Sequence, residues 1–389
     1  MRRRHEGLGL FSFPTPFTPP TTEDDRLSWL RLIRSRRVGV QTFWRLIEEH
    51  GSARAALIAL PEIARAAGVQ GYAPCPEAVA QAELKAARKA GARMLCKGEA
   101  DYPADLALIA DAPPLLWARG DLSVTARPMV ALVGARNASS LGTRMARRLA
   151  EDLSQAGLTI VSGLARGVDA AAHLAALPGG TVAVLAGGVD VIYPAENTAL
   201  AGDIAKQGLI LSEQPMGLQP LARHFPMRNR IISGLCRAVV VVEAALQSGS
   251  LITARTALDQ GRDVLAVPGH PFDGRAGGCN LLIRDGATLV RGSEDVLAAI
   301  DLPAASHTAT PLADENRPGE DRPAGSRNWR DQAALHRAIL DRLGPSPLAE
   351  DQLLRDLHLS PQQAAPELLT LELEGQILRA PGGLLSRAS

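Results

Sequence analysis

Four short segments place glycines, and in two of them an arginine, where a phosphate-bearing ligand would need them. Each follows an apolar run. They are Gly134-Ala135-Arg136-Asn137 with Ser139 and Ser140 after it, Ser162-Gly163-Leu164-Ala165-Arg166-Gly167-Val168-Asp169, Ala186-Gly187-Gly188-Val189-Asp190, and Ser248-Gly249-Ser250 with Thr253 in the following turn. Gly134 allows close backbone approach, and the guanidinium of Arg136 offers a planar fork to phosphate oxygens. A helix starting near Ser140 aims its free N–H groups at the same place. The small residues and hydroxyls of 248–250 suit an anion nest at a helix N-terminus. A basic cluster, Arg223, His224, Arg228 and Arg230 around Phe225-Pro226, lies further along the chain with Asn229 inside it. One glycine after a strand ordinarily means a tight turn. Four such loops at one sheet edge point instead to an anion site, with Gly134, Arg136, Ser139, Gly163, Arg166, Gly187, Arg228, Asn229, Arg230, Ser248, Gly249 and Ser250 as its expected contacts. Arg228 and Arg230 read equally well as ligand-contacting groups and as partners in structural ion pairs.

Other chemistries lack their parts. No GxxxxGK[ST] occurs, so P-loop hydrolysis is not indicated, and the first turn has no GxGxxG for a dinucleotide. Asp169 and His173 are one helical turn apart, and Asp190 and Glu243 end apolar runs, a set that suits acid–base work. No nucleophile or metal-ligand set accompanies them, and His173 reads as a packed helix histidine. Cys75, Cys96, Cys236 and Cys279 are scattered with no CxxC, the pattern of reduced cytosolic thiols. No cofactor, metal or catalytic residue is expected.

The elements that position these loops follow from periodicity. Apolar runs at 129–133, 158–161, 181–185, 209–211, 238–242 and 264–267 alternate with helical patterns at 141–156, 169–176, 197–207, 228–235 and 251–260. Near-continuous apolar strands alternating with helices imply a parallel sheet covered on both faces. The expected fold class is α/β, a Rossmann-like doubly wound and mostly parallel sheet, flanked by a small helical N-terminal domain and a C-terminal winged helix. In the N-terminal domain, Leu27, Leu30 and Ile33, then Phe43, Leu46 and Ile47, then Ala56, Leu57 and Leu60 recur at helical spacing. Val38-Gly39-Val40 and His50-Gly51-Ser52 separate three helices, and a fourth runs over 77–90 up to Gly91. The expected boundaries are a disordered Pro- and Thr-rich tail at 1–22, the helical domain at 23–75, the sheet domain at 76–302, a Pro-, Ala- and acid-rich linker at 303–328 and the winged helix at 329–389.

Composition narrows the partners. Among 389 residues the formal net charge is +1, so affinity for nucleic acid must come from clustered arginines. Aromatic residues make up 3%, too few for a large base-stacking platform. Arg2-Arg3-Arg4 has the charge of a signal n-region, but Pro14, Pro16, Pro19 and Pro20 interrupt the apolar stretch after it, and no later stretch has the length of a membrane span. A cytoplasmic protein with no membrane partner is expected.

Several of these segments resemble the DNA-processing protein A (DprA, also called Smf) family. The resemblance runs through Asp101-Tyr102-Pro103, Arg119-Gly120, the run from Val130 to Arg136, and Ser162 to Asp169 with Ala172-His173. It continues through Val182 to Asp190 with Tyr193-Pro194 and Asn197. The densest stretch is Phe225-Pro-Met-Arg-Asn-Arg-Ile-Ile-Ser-Gly-Leu235, followed by Val241 to Ala244, Ser248 to Ala254, Gly261-Arg262, Ala266 to Gly269, Asn280 and Gly286-Ala287. It covers residues 101–290 in order. The resemblance implies a protein without enzymatic activity: a single-stranded DNA-binding recombination mediator that protects incoming DNA during natural transformation. It further implies a homodimer formed through the Rossmann domain that helps load the RecA recombinase. The N-terminal module is similar to the sterile-alpha-motif or helix-hairpin-helix-like piece of that family, and the winged helix to its C-terminal addition. The family has Ser where this chain has Ala135, which removes a hydroxyl at that point.

Two rival readings follow. A related Rossmann branch, the phosphoribohydrolases that release cytokinin bases, carries a loop of the form PGGxGTxxE and would make this a nucleotide-binding enzyme. The corresponding stretch, Ser248 to Arg255, lacks the acidic residue at that offset. Alternatively, the winged helix would bind duplex DNA with Arg355 and His358. Asp351, Asp356, Glu367, Glu372 and Glu374 make that segment acidic, which favours a protein partner for it.

Overall fold

The structure is a computed structural model that describes residues 19–301, 332–380 and 383–388. Most of the expected tail and the whole expected linker lie outside those residues. The chain divides into two compact units, one drawn from Met1–Tyr102 with Ala110–Leu116 and one from Pro103–Ile109 with Trp117–Ser389.

The first unit holds helices α1 (Glu23–Arg34), α2 (Val40–His50), α3 (Ala53–Ala66) and α4 (Glu77–Lys89), then strand β1 (Arg93–Cys96). Each boundary has a local cause. Thr22 and Asp25 form a capping box at the start of α1. Gly51 adopts φ +73° where α2 must reverse, and the Ser52 side chain then caps α3. Trp29, Phe43 and Trp44 pack edge to face with centroids 5.1–5.7 Å apart and form the aromatic centre of this unit.

The second unit begins with α5 (Ala104–Ala107), and its sheet starts in β2 (Leu115–Gly120). There follow β3 (Met129–Gly134), α6 (Ser140–Gln155), β4 (Thr159–Ser162), α7 (Val168–Ala176), β5 (Thr181–Val184), α8 (Thr198–Gln207) and β6 (Leu209–Ser212). The second half is α9 (His224–Leu235), β7 (Ala238–Glu243), α10 (Ser250–Asp259), β8 (Asp263–Ala266), α11 (Gly277–Arg284), β9 (Thr288–Leu289) and α12 (Ser293–Ala299). From β2 onward the strand order is β2-β6-β5-β4-β3-β7-β8-β9. Pairings from β6 to β9 are parallel, and β2 joins β6 antiparallel. This is the doubly wound, mostly parallel sheet expected from the apolar runs. Val130, Leu132, Ile160, Val240 and Leu265 pack in one core with Ala146, Leu149 and Leu153 of α6, and the strands are apolar because neither face meets water. Three strands escape the periodic reading. β2 is an antiparallel edge addition, β9 has two exposed residues, and β1 is four residues long.

The connections fix where a ligand can sit. From β3 the chain winds one way through β4, β5 and β6, then returns to the other side of β3 with β7, β8 and β9. The winding reverses between β3 and β7, so a crevice opens outside their carboxyl ends. The register between these two strands shifts at Val133–Gly134, beside that crevice.

A winged helix closes the unit: α13 (Gln332–Arg342), β10 (Leu348–Ala349), α14 (Glu350–Leu357), α15 (Pro361–Leu373), β11 (Ile377–Ala380) and β12 (Leu384–Arg387). Its sheet has three strands in the order β10-β12-β11, one more than the sequence pattern indicates, over a core that includes Leu335, Ile339, Leu368 and Leu385.

Leu149 is fully buried in the core beneath the sheet. Leu149→Ala is expected to lower unfolding free energy by about 2–5 kcal/mol, measured by urea denaturation. A loss under 1 kcal/mol would contradict this account of the core.

Candidate anion site at the sheet switch point

A cleft of about 1030 Å³ opens at the switch point. Its floor comes from the turn after β3 (Gly134, Ala135, Arg136, Asn137) and the loop after β7 (Ser248, Gly249, Ser250). One wall is the start of α9. This helix begins at His224, four residues before the start expected from periodicity, because Pro226 fits a first turn whose N–H groups have no intrahelical partner. With the helix begun there, Phe225, Arg228, Asn229 and Ile232 share the face that lines the cleft.

Arg228 is the centre of the site. It is 6% exposed, and its buried Nε has no hydrogen-bond partner. Burial pulls its pKa down to about 10, Asp169 acts against that shift, and the neighbouring Arg136 adds to it. The guanidinium occupies the space a side chain at residue 163 would need, since a Cβ on Gly163 would lie 1.1 Å from Arg228 Nη1. Gly163 is therefore a packing requirement of Arg228. Asp169 supplies the countercharge. Burial pushes its carboxyl up, while Arg228 and the backbone N–H groups of Ala165 and Gly163 pull it down.

The same carboxylate shapes the loop after β4. Asp169 accepts from Gly163 N at 3.1 Å and from Ala165 N at 3.3 Å. Leu164 is held at φ +56°, a strained conformation for a branched side chain. Its N–H donates to His173 Nε2 at 3.3 Å, and its carbonyl accepts from Asn197 Nδ2 at 2.9 Å. The Thr181 hydroxyl donates to the Ile160 carbonyl at 2.6 Å, so His173 Nδ1 must donate to Thr181 Oγ1 at 2.9 Å. His173 is thus neutral with its proton on Nδ1, and burial first, then Arg228, push its pKa down to about 3. Asp169 and His173 hold a loop, which accounts for their spacing without an acid–base role.

Arg136 is exposed at the mouth of the cleft, with its guanidinium 5.0 Å from the centroid of the Phe225 ring, a cation–π distance. Tyr193, half-exposed, meets Phe225 edge to face at 6.0 Å. The loop after β7 links Ser248 Oγ and Ser250 Oγ at 2.6 Å, and no side chain caps α10. Two guanidinium groups, hydroxyls and an aromatic ring thus border one opening, an arrangement whose chemistry suits phosphate oxygens. Among the described residues no group of three or more His, Cys, Asp or Glu could hold a metal ion. Nor is any helix among them long and apolar enough to cross a membrane.

The family model for DNA recombination-mediator protein A matches residues 93–301, more than half of the chain. The chain belongs to this family. Models for a DprA-like N-terminal HHH domain and a DprA winged helix domain match residues 23–86 and 322–383. The DNA processing protein DprA of Streptococcus pneumoniae is 50% identical over 202 residues, covering 51% of this chain and 71% of the relative. The X-ray structure of DprA from that organism superposes with a TM-score of 0.60 at 39% identity, over 70% of this chain and 97% of the other. A Helicobacter pylori DprA structure, described for its single-stranded DNA binding mode, gives a TM-score of 0.50 at 30% identity, over 54% of this chain and 95% of the other.

Within this family frame the expected site residues separate. Gly134, Arg136, Arg228, Asn229, Ser248, Gly249 and Ser250 line the cleft, and Gly163 and Gly187 line a small adjoining pocket that Arg228 also borders. Three residues fall outside both. Ser139 is buried as the N-cap of α6, where its hydroxyl accepts from Gly142 N at 2.9 Å and bonds the Glu243 carboxylate. Arg166 is exposed and pairs with Glu196 at 3.4 Å. Arg230 is a correction to the grouping of 228–230. At about 100° per residue it stands roughly 200° around α9 from Arg228, and there it forms a buried ion pair with Glu213. Phe225 lines the cleft and Tyr193 the small pocket, two aromatic positions that the low aromatic content concealed. Their signal was local, an aromatic next to the basic cluster and another near residue 190.

Two outcomes follow. Gly163→Ala forces Arg228 out of its place and is expected to destabilise the fold by about 1–3 kcal/mol in urea denaturation; wild-type stability would contradict the packing. For His173, the unfolded chain gains a proton below pH 6.5 that the folded chain refuses until about pH 3. Its contribution is therefore intact above pH 6.5 and falls by about 1.4 kcal/mol per unit as pH drops through that window. His173→Gln is expected to remove this slope between pH 6.5 and 5, and an unchanged slope counts against a neutral His173.

Proposed function

We propose that the cleft binds a single strand of DNA through successive phosphates and that the protein acts as a recombination mediator. The observation that carries this reading is the pairing of a buried, incompletely hydrogen-bonded Arg228 with an exposed Arg136 that lies over an aromatic ring at the same opening. A guanidinium kept dry and short of partners favours a charged acceptor. Two neighbouring cations lower the cost of bringing in a polyanion, and every base offers a π-face to Phe225 whatever the sequence. The single-strand binding described for the Helicobacter pylori relative supports the same assignment. Protection of incoming DNA during natural transformation, homodimer formation through the Rossmann domain and help in loading the RecA recombinase complete the proposal.

The winged helix is not the source of this affinity. Its third helix, α15, contains no lysine or arginine and carries Glu367 and Glu372. Arg355 belongs to α14, and His358 is the left-handed cap of that helix.

Arg136→Ala is expected to weaken binding of an oligo-dT strand several-fold and to flatten the slope of log affinity against log salt by about 0.7, read by fluorescence anisotropy. The same variant should slow RecA filament growth in the presence of the protein. A folded variant with unchanged affinity and slope overturns the assignment.

A further inference from the structure

The cleft is not bounded by the central sheet alone. Asp341, Pro345, Arg387 and Ala388 of the winged helix line its rim, facing the loop that carries Arg275. The Arg275 side chain is four-fifths buried and its guanidinium makes four hydrogen bonds. One side of its guanidinium meets the Asp273 carboxylate at 3.2 and 3.3 Å. The other side donates to two main-chain carbonyls of the winged helix, Nη1 to Asp341 O at 2.5 Å and Nη2 to Leu343 O at 2.8 Å. Those carbonyls stand at the end of α13, the negative pole of its dipole. Two oxygens placed side by side against a guanidinium fork are what a phosphate would present.

A second contact repeats this substitution. The Asp356 carboxylate takes the hydroxyl of Ser140, the first residue of α6, so an acidic side chain occupies a helix N-terminus that favours anions. Arg342 reaches Thr143 Oγ1 in the same helix at 3.4 Å. Among the described residues lining the rim, the cation from this domain is Arg387, 3.5 Å from the Leu340 carbonyl of its own domain. At both contacts the winged helix thus offers oxygen to groups suited to phosphate.

We propose that the winged helix is an autoinhibitory cap on the cleft, and that Arg275 is a phosphate-gripping residue of the DNA track, masked while the carbonyls of Asp341 and Leu343 occupy it. The inference rests on the reading of the cleft as a phosphate site. A strand entering the cleft and the docked domain compete for the same guanidinium, so release of the domain raises affinity and adds one phosphate contact.

The test uses the full chain. A Ser140→Cys, Asp356→Cys variant can be oxidised to lock the domain down and reduced to free it. The locked form is expected to bind oligo-dT at least tenfold more weakly than the same protein after reduction. Failure of the cross-link to form, or equal binding by locked and reduced protein, overturns the cap. In a second arm, Asp356→Ala with Arg342→Ala is expected to bind several-fold more tightly than wild type. Arg275→Ala should lower affinity in that released background and so cancel the gain. Equal effects of Arg275→Ala in both backgrounds overturn its masked role. Arg136→Ala separates the two levels of the argument. If it changes binding in no background, the phosphate reading of the cleft fails. If it weakens all of them while locking has no effect, only the cap fails.

Discussion

Arg228 is buried beside Asp169, and the cleft is arranged around that placement. A guanidinium loses heavily on leaving water, and its carboxylate partner recovers only part of the loss, as the lowered pKa of about 10 records. The surrounding residues follow from that cost. Residue 163 can have no side chain, because the guanidinium fills its place. Asp169 must both balance the charge and hold the turn at 163–165 by its backbone N–H groups. His173 and Asn197 then fix Leu164 in its left-handed conformation. A set of residues that resembles acid–base machinery in sequence is therefore a frame for one cation.

On the proposed reading of the cleft, placing an arginine this way has a functional reason. A cation already stripped of water and short of hydrogen bonds needs little reorganisation when a phosphate arrives. Arg136 differs, being exposed and lying over Phe225, where it can meet a strand early and at long range. One arginine is suited to capture and the other to hold. With a net charge of only +1, the chain leaves any affinity for a polyanion to individual arginines such as these, not to a generally basic surface.

Arg275 extends the same principle to the C-terminal domain. Its fork is satisfied by main-chain oxygens, which carry no net charge and are weaker acceptors than phosphate. A contact of that kind holds a domain in place while leaving a stronger competitor able to displace it.

The sequence by itself determined the sheet, the helices between its six principal parallel strands and the glycine turns at its edge, because burial on both faces writes continuous apolar runs that local periodicity can read. It also placed Arg136 and Arg228 among the candidates. Tertiary structure alone decided the rest. Strands β1 and β9 carry little pattern because one is four residues long and the other is exposed, and β2 pairs antiparallel, outside the alternation of parallel strands with helices. Arg228 and Arg230 are two residues apart, yet only the helix register sends one into the cleft and the other to Glu213. The contact of Arg275 with Asp341 and Leu343 joins residues 66 and 68 positions apart, and no local propensity encodes it. Spacing along the chain shows which groups are available; which of them are dry, paired or masked depends on what the fold packs against them.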